Sequence, residues 1–251
     1  VSAPIIAPLT APLAEIWVYL AASPLLGLTV TLLAYQGAFA LYRQAKFHPV
    51  ANPVLLAVAF LVALLALTGT PYQTYFDGAQ FVHFLLGPAT VALAIPLYAQ
   101  IKRVRAMFWP IVIALVAGCL TAALSAMAVG KLFGASLATL LSLAPKSVTT
   151  PIAMGIAERT GGLPSLTAVL VITTGILGAV GARYLFNGLK IQDHAVRGFA
   201  IGIASHGIGT ARAFQVSEQC GAFAALAMGL NGALTALLLP LVLPWVKAWL
   251  A

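Results

Sequence analysis

Five stretches of this 251-residue chain, 16–42, 78–101, 106–130, 160–182 and 219–246, contain no Asp, Glu, Lys or Arg. Each is long enough to cross a hydrocarbon core, which takes about 20 apolar residues at helical rise. A sixth run, 53–69, is shorter but almost wholly aliphatic. A segment in hydrocarbon must satisfy its own backbone hydrogen bonds, and for runs of this length the solution is a helix. Composition agrees: 62% of residues are hydrophobic and 7% are charged, far from the balance of a soluble domain. The chain reads as an all-α polytopic membrane protein. We expect a single transmembrane domain over residues 1–251, with no soluble domain and no linker to tether one. No charged n-region precedes a short apolar stretch, so no signal peptide is expected.

The formal net charge is +8. In a soluble chain that would point to nucleic acid. Here the basic residues sit in short loops, as in Arg43-Gln44-Ala45-Lys46 and Lys102-Arg103-Val104-Arg105. Such placement records membrane orientation, which excludes nucleic acid as a partner and makes the lipid bilayer the first one. Cys119 and Cys220 show neither metal spacing nor evidence of a disulfide. No metal site and no cofactor are read.

Helices are expected near 13–42, 53–69, 80–100, 107–130, 163–187 and 220–247. Ser23-Pro24 and Asn52-Pro53 look like N-caps followed by Pro at the first helical position. Two stretches remain, 132–158 and 195–217, whose longest charge-free runs are only 14 residues, 132–145 and 198–211. Runs that short suggest re-entrant or broken segments. If 132–158 crosses once, the basic residues divide almost evenly between the two sides. If it turns back at Pro145-Lys146, then Arg43, Lys46, Lys102, Arg103, Arg105, Arg183, Lys190, Arg197 and Lys247 share one side, facing only Lys131 and Arg159. The second arrangement satisfies the positive-inside rule and is preferred over an ordinary kinked span. Arg43, Lys102 and Lys190 are then expected on the cytoplasmic side.

The two awkward stretches also hold the unusual chemistry. One contains Ala144-Pro145-Lys146-Ser147-Val148-Thr149-Thr150-Pro151, the other Ala204-Ser205-His206-Gly207-Ile208-Gly209-Thr210-Ala211-Arg212. Both mix helix breakers, hydroxyls and basic groups at bilayer depth, where irregular backbone is tolerated only in protein or along a cavity. We expect breaks near 145–150 and 205–210, Thr150 as an N-cap before Pro151, backbone unwound at Gly207 and Gly209, and Thr210 as the matching N-cap. Helix N-termini present open N–H donors and partial positive charge. With Lys146, Arg212 and His206 beside them, the field suits a small anion, most simply a carboxylate. The expected substrate-binding set is Lys146, Ser147, Thr149, Thr150, Ser205, His206, Gly207, Gly209, Thr210, Arg212 and Asn231. Arg212 is the first choice for the carboxylate, since a guanidinium grips both oxygens. Lys146 and Arg212 have a plainer alternative, snorkelling to the interface. His206 is a proton-coupling candidate, as are Glu158 and Glu218, which are otherwise solvated loop ends. Asn231-Gly232 either lines the cavity or bonds a neighbouring helix.

An echo at an offset of 60 links the segments: Ala144, Thr150, Ala153, Glu158 and Gly161 match Ala204, Thr210, Ala213, Glu218 and Gly221. A second comparison, of Gly87-Pro88 with Ser205–Thr210, is the kind expected of an inverted repeat. No catalytic residue is assigned. Ser205-His206 is no triad, since neighbours on a helix do not face each other and no third residue is evident. No phosphate loop or His-Glu metal motif appears. The protein is therefore read as not an enzyme.

Several strings resemble the LrgB/CidB family. They are Gly87-Pro88-Ala89-Thr90 with the run to Tyr98, Lys146-Ser147-Val148-Thr149-Thr150-Pro151-Ile152-Ala153, Ala204-Ser205-His206-Gly207-Ile208-Gly209-Thr210-Ala211-Arg212, and Ala227-Met228-Gly229-Leu230-Asn231-Gly232. The resemblance covers about 13–250, in the family's order. It implies an inverted-repeat-like transporter bundle and two functions of different class. The first is a transporter of small 2-hydroxy or 2-oxo monocarboxylates such as glycolate, glycerate, pyruvate or lactate, proton-coupled in one version. The second is a holin/antiholin-like regulator of murein hydrolase export and autolysis. It also implies an LrgA/CidA-like small membrane partner. The location implied is the bacterial inner membrane, or the plastid envelope through similarity to the plastidal glycolate/glycerate translocator. A homo-oligomer stays open. The sequence favours the first reading, because a holin-like pore needs no broken helices with hydroxyls and basic groups at depth.

Overall fold

A computed structural model describes residues 24–250, all helix, turn and loop, with no strand among the described residues. The Ser23 cap and the start of the helix expected from residue 13 lie outside them. Four helices are long and apolar enough to cross a membrane, Leu25–Gln44, Phe108–Leu132, Pro164–Gly188 and Glu218–Leu243, with Pro53–Thr68 a shorter apolar one. The protein is a multi-pass integral membrane protein. Its residues cluster into two compact units divided between Ala92 and Leu93.

The first unit holds α1 (Pro24–Gln44), a 3-10 turn (Pro49–Ala51), α2 (Pro53–Thr68), α3 (Tyr72–Phe84) and α4 (Leu86–Ala92). The Asn52 side chain accepts from the Val54 and Leu55 N–H groups at the start of α2, and Gly69 closes it in the left-handed conformation. Gly27 lets α1 touch the backbone of α3 at Tyr75 and Ala79, and Thr31 bonds the Tyr75 hydroxyl at 2.7 Å. The single helix expected near 80–100 is interrupted at Leu85 and Leu93.

The second unit runs through α5 (Ala94–Ala99), α6 (Ile101–Ala106), α7 (Phe108–Leu132), α8 (Leu137–Leu143), α9 (Thr150–Thr160), α10 (Pro164–Gly188), α11 (His194–Val216) and α12 (Glu218–Leu250). Helices α7 and α12 run parallel. Ile111 and Leu115 pack with Phe223 and Ala227 near their starts. Cys119 meets Thr235 halfway, at 3.2 Å. Ala123 and Met127 join Leu239 and Leu243 further on.

Helix α11 does not cross. Twenty-three residues of straight helix would separate its ends by about 35 Å. Instead His194 Nδ1, its first residue, lies 2.7 Å from the Ser217 hydroxyl just beyond its last. The reversal is at His206, whose φ of 40° and ψ of −134° leave the helical region. The returning arm then packs on the outgoing one: a Cβ on Gly209 would lie 2.7 Å from the Ile201 side chain. The segment is a re-entrant hairpin with two arms of similar length.

The α8–α9 stretch is a second hairpin. Its turn spans 144–149, closed by bonds from Lys146 N to the Leu143 carbonyl and Val148 N to the Pro145 carbonyl. Its return brings the Leu163 N–H back to the Ser142 hydroxyl at 2.8 Å. Ile156 of α9 and Leu140 and Leu141 of α8 share one cluster with Met127 and Leu239. The α8–α9 hairpin therefore opens at the end of the unit where α7 finishes. The α11 hairpin opens at the other end, where α7 begins.

Four expectations change in detail. The unwinding falls on His206, while Gly207 and Gly209 keep negative φ; what Gly209 contributes is room for the returning arm. The N-cap of α9 is Thr149, extended at φ −61° and ψ 144°, and Thr150 is already helical. Thr210 is not a cap: its hydroxyl donates to the His206 carbonyl at 2.8 Å. The double-back of α11 also reverses the expected course of α12, so position 247 lies with Lys131 and Arg159, opposite Arg183, Lys190 and Arg197.

Candidate functional site

The two hairpin tips meet at one side chain of α12. Asn231, 1% exposed, donates from Nδ2 to the Ile203 carbonyl at 3.1 Å and, at 3.4 Å, to the Ser147 carbonyl. Its Oδ1 accepts from Thr235 at 3.5 Å. Breaking a helix at depth frees carbonyls that water cannot reach, and a carboxamide supplies donors for them. Gly232, the next residue, leaves room for Ile152 at the start of α9. The pair Asn231-Gly232 thus serves both tips.

The α11 tip is braced from its other side by α10. The His206 ring, 4% exposed, lies 2.9 Å through Nε2 from the Val171 carbonyl. A carbonyl only accepts, so Nε2 carries the proton in this contact. A backbone conformation of this kind costs about 1–3 kcal/mol and persists where its surroundings hold it. Here they do. Gly175 makes space for the His206 ring, and Gly178 for Ser205, whose hydroxyl occupies the place a Cβ would take. On the opposite side Gly198 and Gly202 bring the outgoing arm onto the Cys220 and Ala224 carbonyls of α12. Small residues at this spacing allow helix backbones to approach.

Beside the tips is a cavity of about 520 Å³ between α7 and α11. It runs from Met107 and Ala195, at the helix starts, inward to Thr121, Lys146 and Ser147. These last three are the only polar side chains among its described lining residues. The Lys146 ammonium donates to the Ser147 hydroxyl at 3.3 Å. At the outer end α6 carries Lys102, Arg103 and Arg105. Arg103 pairs with Asp193 at 2.6 Å, both about two-fifths exposed. Asp193 also caps α11, accepting from Ala195 and Val196. The Val196 N–H holds its carboxyl below the usual aspartate range against an opposing effect of burial, with Ala195 and Arg103 adding to the lowering.

Of the residues singled out in the sequence, the structure brings Lys146 and Ser147 to the cavity, and Ser205, His206, Gly209, Thr210 and Asn231 to the packed junction behind it. Thr210 is buried and also reaches the Met228 sulfur at 3.8 Å. Thr149 and Thr150 are half-buried at the start of α9, where the Thr149 hydroxyl makes no capping bond. Gly207 is half-buried past the turn. Arg212 is half-buried on the returning arm, donates to Gln215 at 3.0 Å and does not line the cavity. Glu158 and Glu218 are exposed, in the last turn of α9 and the first turn of α12. Sequence reasoning missed Thr121, Gly175, Gly178 and the Val171 carbonyl. The signal for the glycines was their three-residue spacing in an apolar helix; the carbonyl left none. Among the described residues no group of three or more His, Cys, Asp or Glu is placed to hold a metal, and both cysteines are free and buried.

Residues 31–245 match the LrgB-like family. The chain is similar to a Bacillus subtilis protein named "Uncharacterized protein YwbG", 35% identical over 222 residues, 88% of this chain and 98% of that one. It is similar to the "Antiholin-like protein LrgB" of Bacillus cereus strain B4264, 30% identical over 225 residues, 89% and 97% of the two chains. The protein of the same name from Bacillus anthracis strain CDC 684 matches equally. No solved structure matches the chain.

Proposed function

The chain belongs to the LrgB-like family, and from that premise we propose that it is a membrane carrier for monocarboxylates of the 2-hydroxy and 2-oxo class. One observation carries this reading: the Lys146 ammonium stands at the inner end of a 520 Å³ cavity, beside two hairpin tips pinned by Asn231. A cation in a largely apolar cleft attracts an anion far more strongly than in water. The Ser147 and Thr121 hydroxyls in the same lining would complete its hydrogen bonds. The basic α6 at the outer end steers anions inward. Lys146 takes the carboxylate-contact role in this reading, in place of Arg212, because it is the cation in the cavity lining.

The hairpins supply the moving parts. They open at opposite ends of the unit, and each is followed by a long apolar helix, α10 or α12. The offset-60 echo pairs the tip and returning arm of one hairpin with those of the other, as an inverted repeat would. Shifting either tip away from Asn231 would open the cavity to one side. His206, the hinge of the second hairpin, is the residue through which a proton would act. An LrgA-like small membrane protein is the proposed partner.

A second reading is favoured by the comparisons: relatives are named antiholin-like, which supports a regulator of murein hydrolase export over a carrier. The two separate in proteoliposomes, with and without an LrgA-like subunit, assayed for labelled glycolate, glycerate, pyruvate and lactate and for dye leakage. Losing a charge partner in a desolvated site costs about 2–5 kcal/mol. The carrier reading therefore expects saturable uptake that falls more than tenfold in Lys146→Gln. No carboxylate flux under either condition, or leakage indifferent to Lys146→Gln, supports the regulator instead.

A further inference from the structure

The cavity is much larger than a two- or three-carbon acid needs. Sites of 300–1,000 Å³ bury ligands of drug size. Counting each non-hydrogen atom as about the 30 Å³ of a water, 520 Å³ holds on the order of fifteen, against about six in pyruvate. The wall above Lys146 is also of one kind: Ile111, Ala114, Ala122, Phe199, Ile203 and Phe223. Charge recognition is concentrated at one end, and the remaining length offers only apolar contact. Water filling that length would find few partners, so an apolar group is favoured there.

We infer that the preferred ligand is a monocarboxylate with a sizeable apolar body, branched or aromatic, its carboxylate on Lys146 and its side chain along α7 and α11 toward Met107. This deepens the carrier reading and rests on it. Burying each added methylene improves affinity by about fourfold. Selectivity over pyruvate therefore comes from the wall and not from the charged end. Ala114 is exposed into the cleft, so a large side chain there takes up the space of the ligand's body without touching Lys146.

The test is equilibrium binding to the full chain in lipid nanodiscs, which avoids passive diffusion of weak acids across vesicles. Labelled pyruvate and labelled 4-methyl-2-oxopentanoate are compared, with phenylpyruvate and the neutral 4-methylpentanamide as competitors. The branched acid is expected to bind at least tenfold more tightly than pyruvate, and phenylpyruvate to compete. The amide is expected not to, and Lys146→Gln to abolish binding of both acids. Ala114→Phe is expected to weaken binding of the branched acid far more than that of pyruvate and so remove its advantage, with Ala122→Leu as the milder variant should the first not fold. Pyruvate binding as tightly as the branched acid overturns this inference and leaves the carrier reading standing. Amide binding that matches the acid's overturns it by making the cleft a groove for uncharged lipid. Binding of no acid at all removes the carrier reading with it.

Discussion

Asn231 is a buried carboxamide whose donors are spent on two carbonyls exposed by broken helices. Replacing it by Leu keeps the volume and leaves both carbonyls without that donor. An unpaired buried polar group costs about 1–3 kcal/mol, so Asn231→Leu is expected to lower the thermal unfolding midpoint in detergent, and Asn231→Asp, which sets an acceptor against acceptors, to lower it at least as far. Midpoints equal to wild type would show that the tips are held elsewhere. Asp193 belongs at the same scale. Its carboxyl is held low by the α11 N–H groups and Arg103, and a depressed acid stabilises the fold above its unfolded pKa, near 4. That contribution is intact at neutral pH and is lost as pH falls through the lower folded value. Asp193→Ala is expected to cost about 1 kcal/mol at pH 7, a usual figure for an N-cap, and to cost little once the wild-type carboxyl is protonated. Stability curves against pH for the two proteins give the difference directly, and a constant gap down to acid would count against it.

Helix α10 tests the packing of the second hairpin. A Cβ on Gly178 would fall on the Ser205 hydroxyl, and one on Gly175 would lie 2.8 Å from the His206 ring, whereas Gly181, one turn on, has nothing within 4 Å. Gly178→Val is therefore expected to destabilise by a few kcal/mol through overpacking. Gly181→Ala is expected to be neutral or to stabilise by about 0.5–1 kcal/mol through helix propensity. Equal effects of the two substitutions would mean that α10 does not brace the tip. The contrast also shows what the sequence could and could not carry. Charge-free length identified the long helices, because hydrocarbon imposes that length on any crossing segment. Pro145, the hydroxyls and the glycines identified the two breaks. They did not say that α11 doubles back, because a kink and a reversal share the same residues; the outcome depends on how far His206 turns, and that is set by Gly175, Gly178 and Val171 of another helix. Nor did they separate Lys146, which reaches the cavity, from Arg212, which turns to Gln215. Both are basic residues beside a break, and only the arms' directions tell them apart.

For the molecule as a whole, two reversals in the second unit decide the topology. Lys102, Arg103, Arg105, Arg183, Lys190 and Arg197 gather at the end where α7 starts and α10 finishes, facing Lys131, Arg159 and position 247 at the other. That distribution still satisfies the positive-inside rule after α12 has been reversed, so the basic end is expected in the cytoplasm. The carrier reading depends on this geometry, since with hairpins opening at opposite faces a shift of one tip or the other would open the cavity to each face in turn. It is tested most directly by labelling Lys190→Cys, Ser217→Cys and Arg159→Cys, one at a time, with an impermeant maleimide added to one face of sealed vesicles. Cys119 and Cys220 are buried, so background reaction is expected to be low. The account predicts that positions 190 and 217 react from the same face and position 159 only from the opposite one. Reaction of position 217 from the face of position 159 would mean that α11 crosses the membrane, and would contradict it.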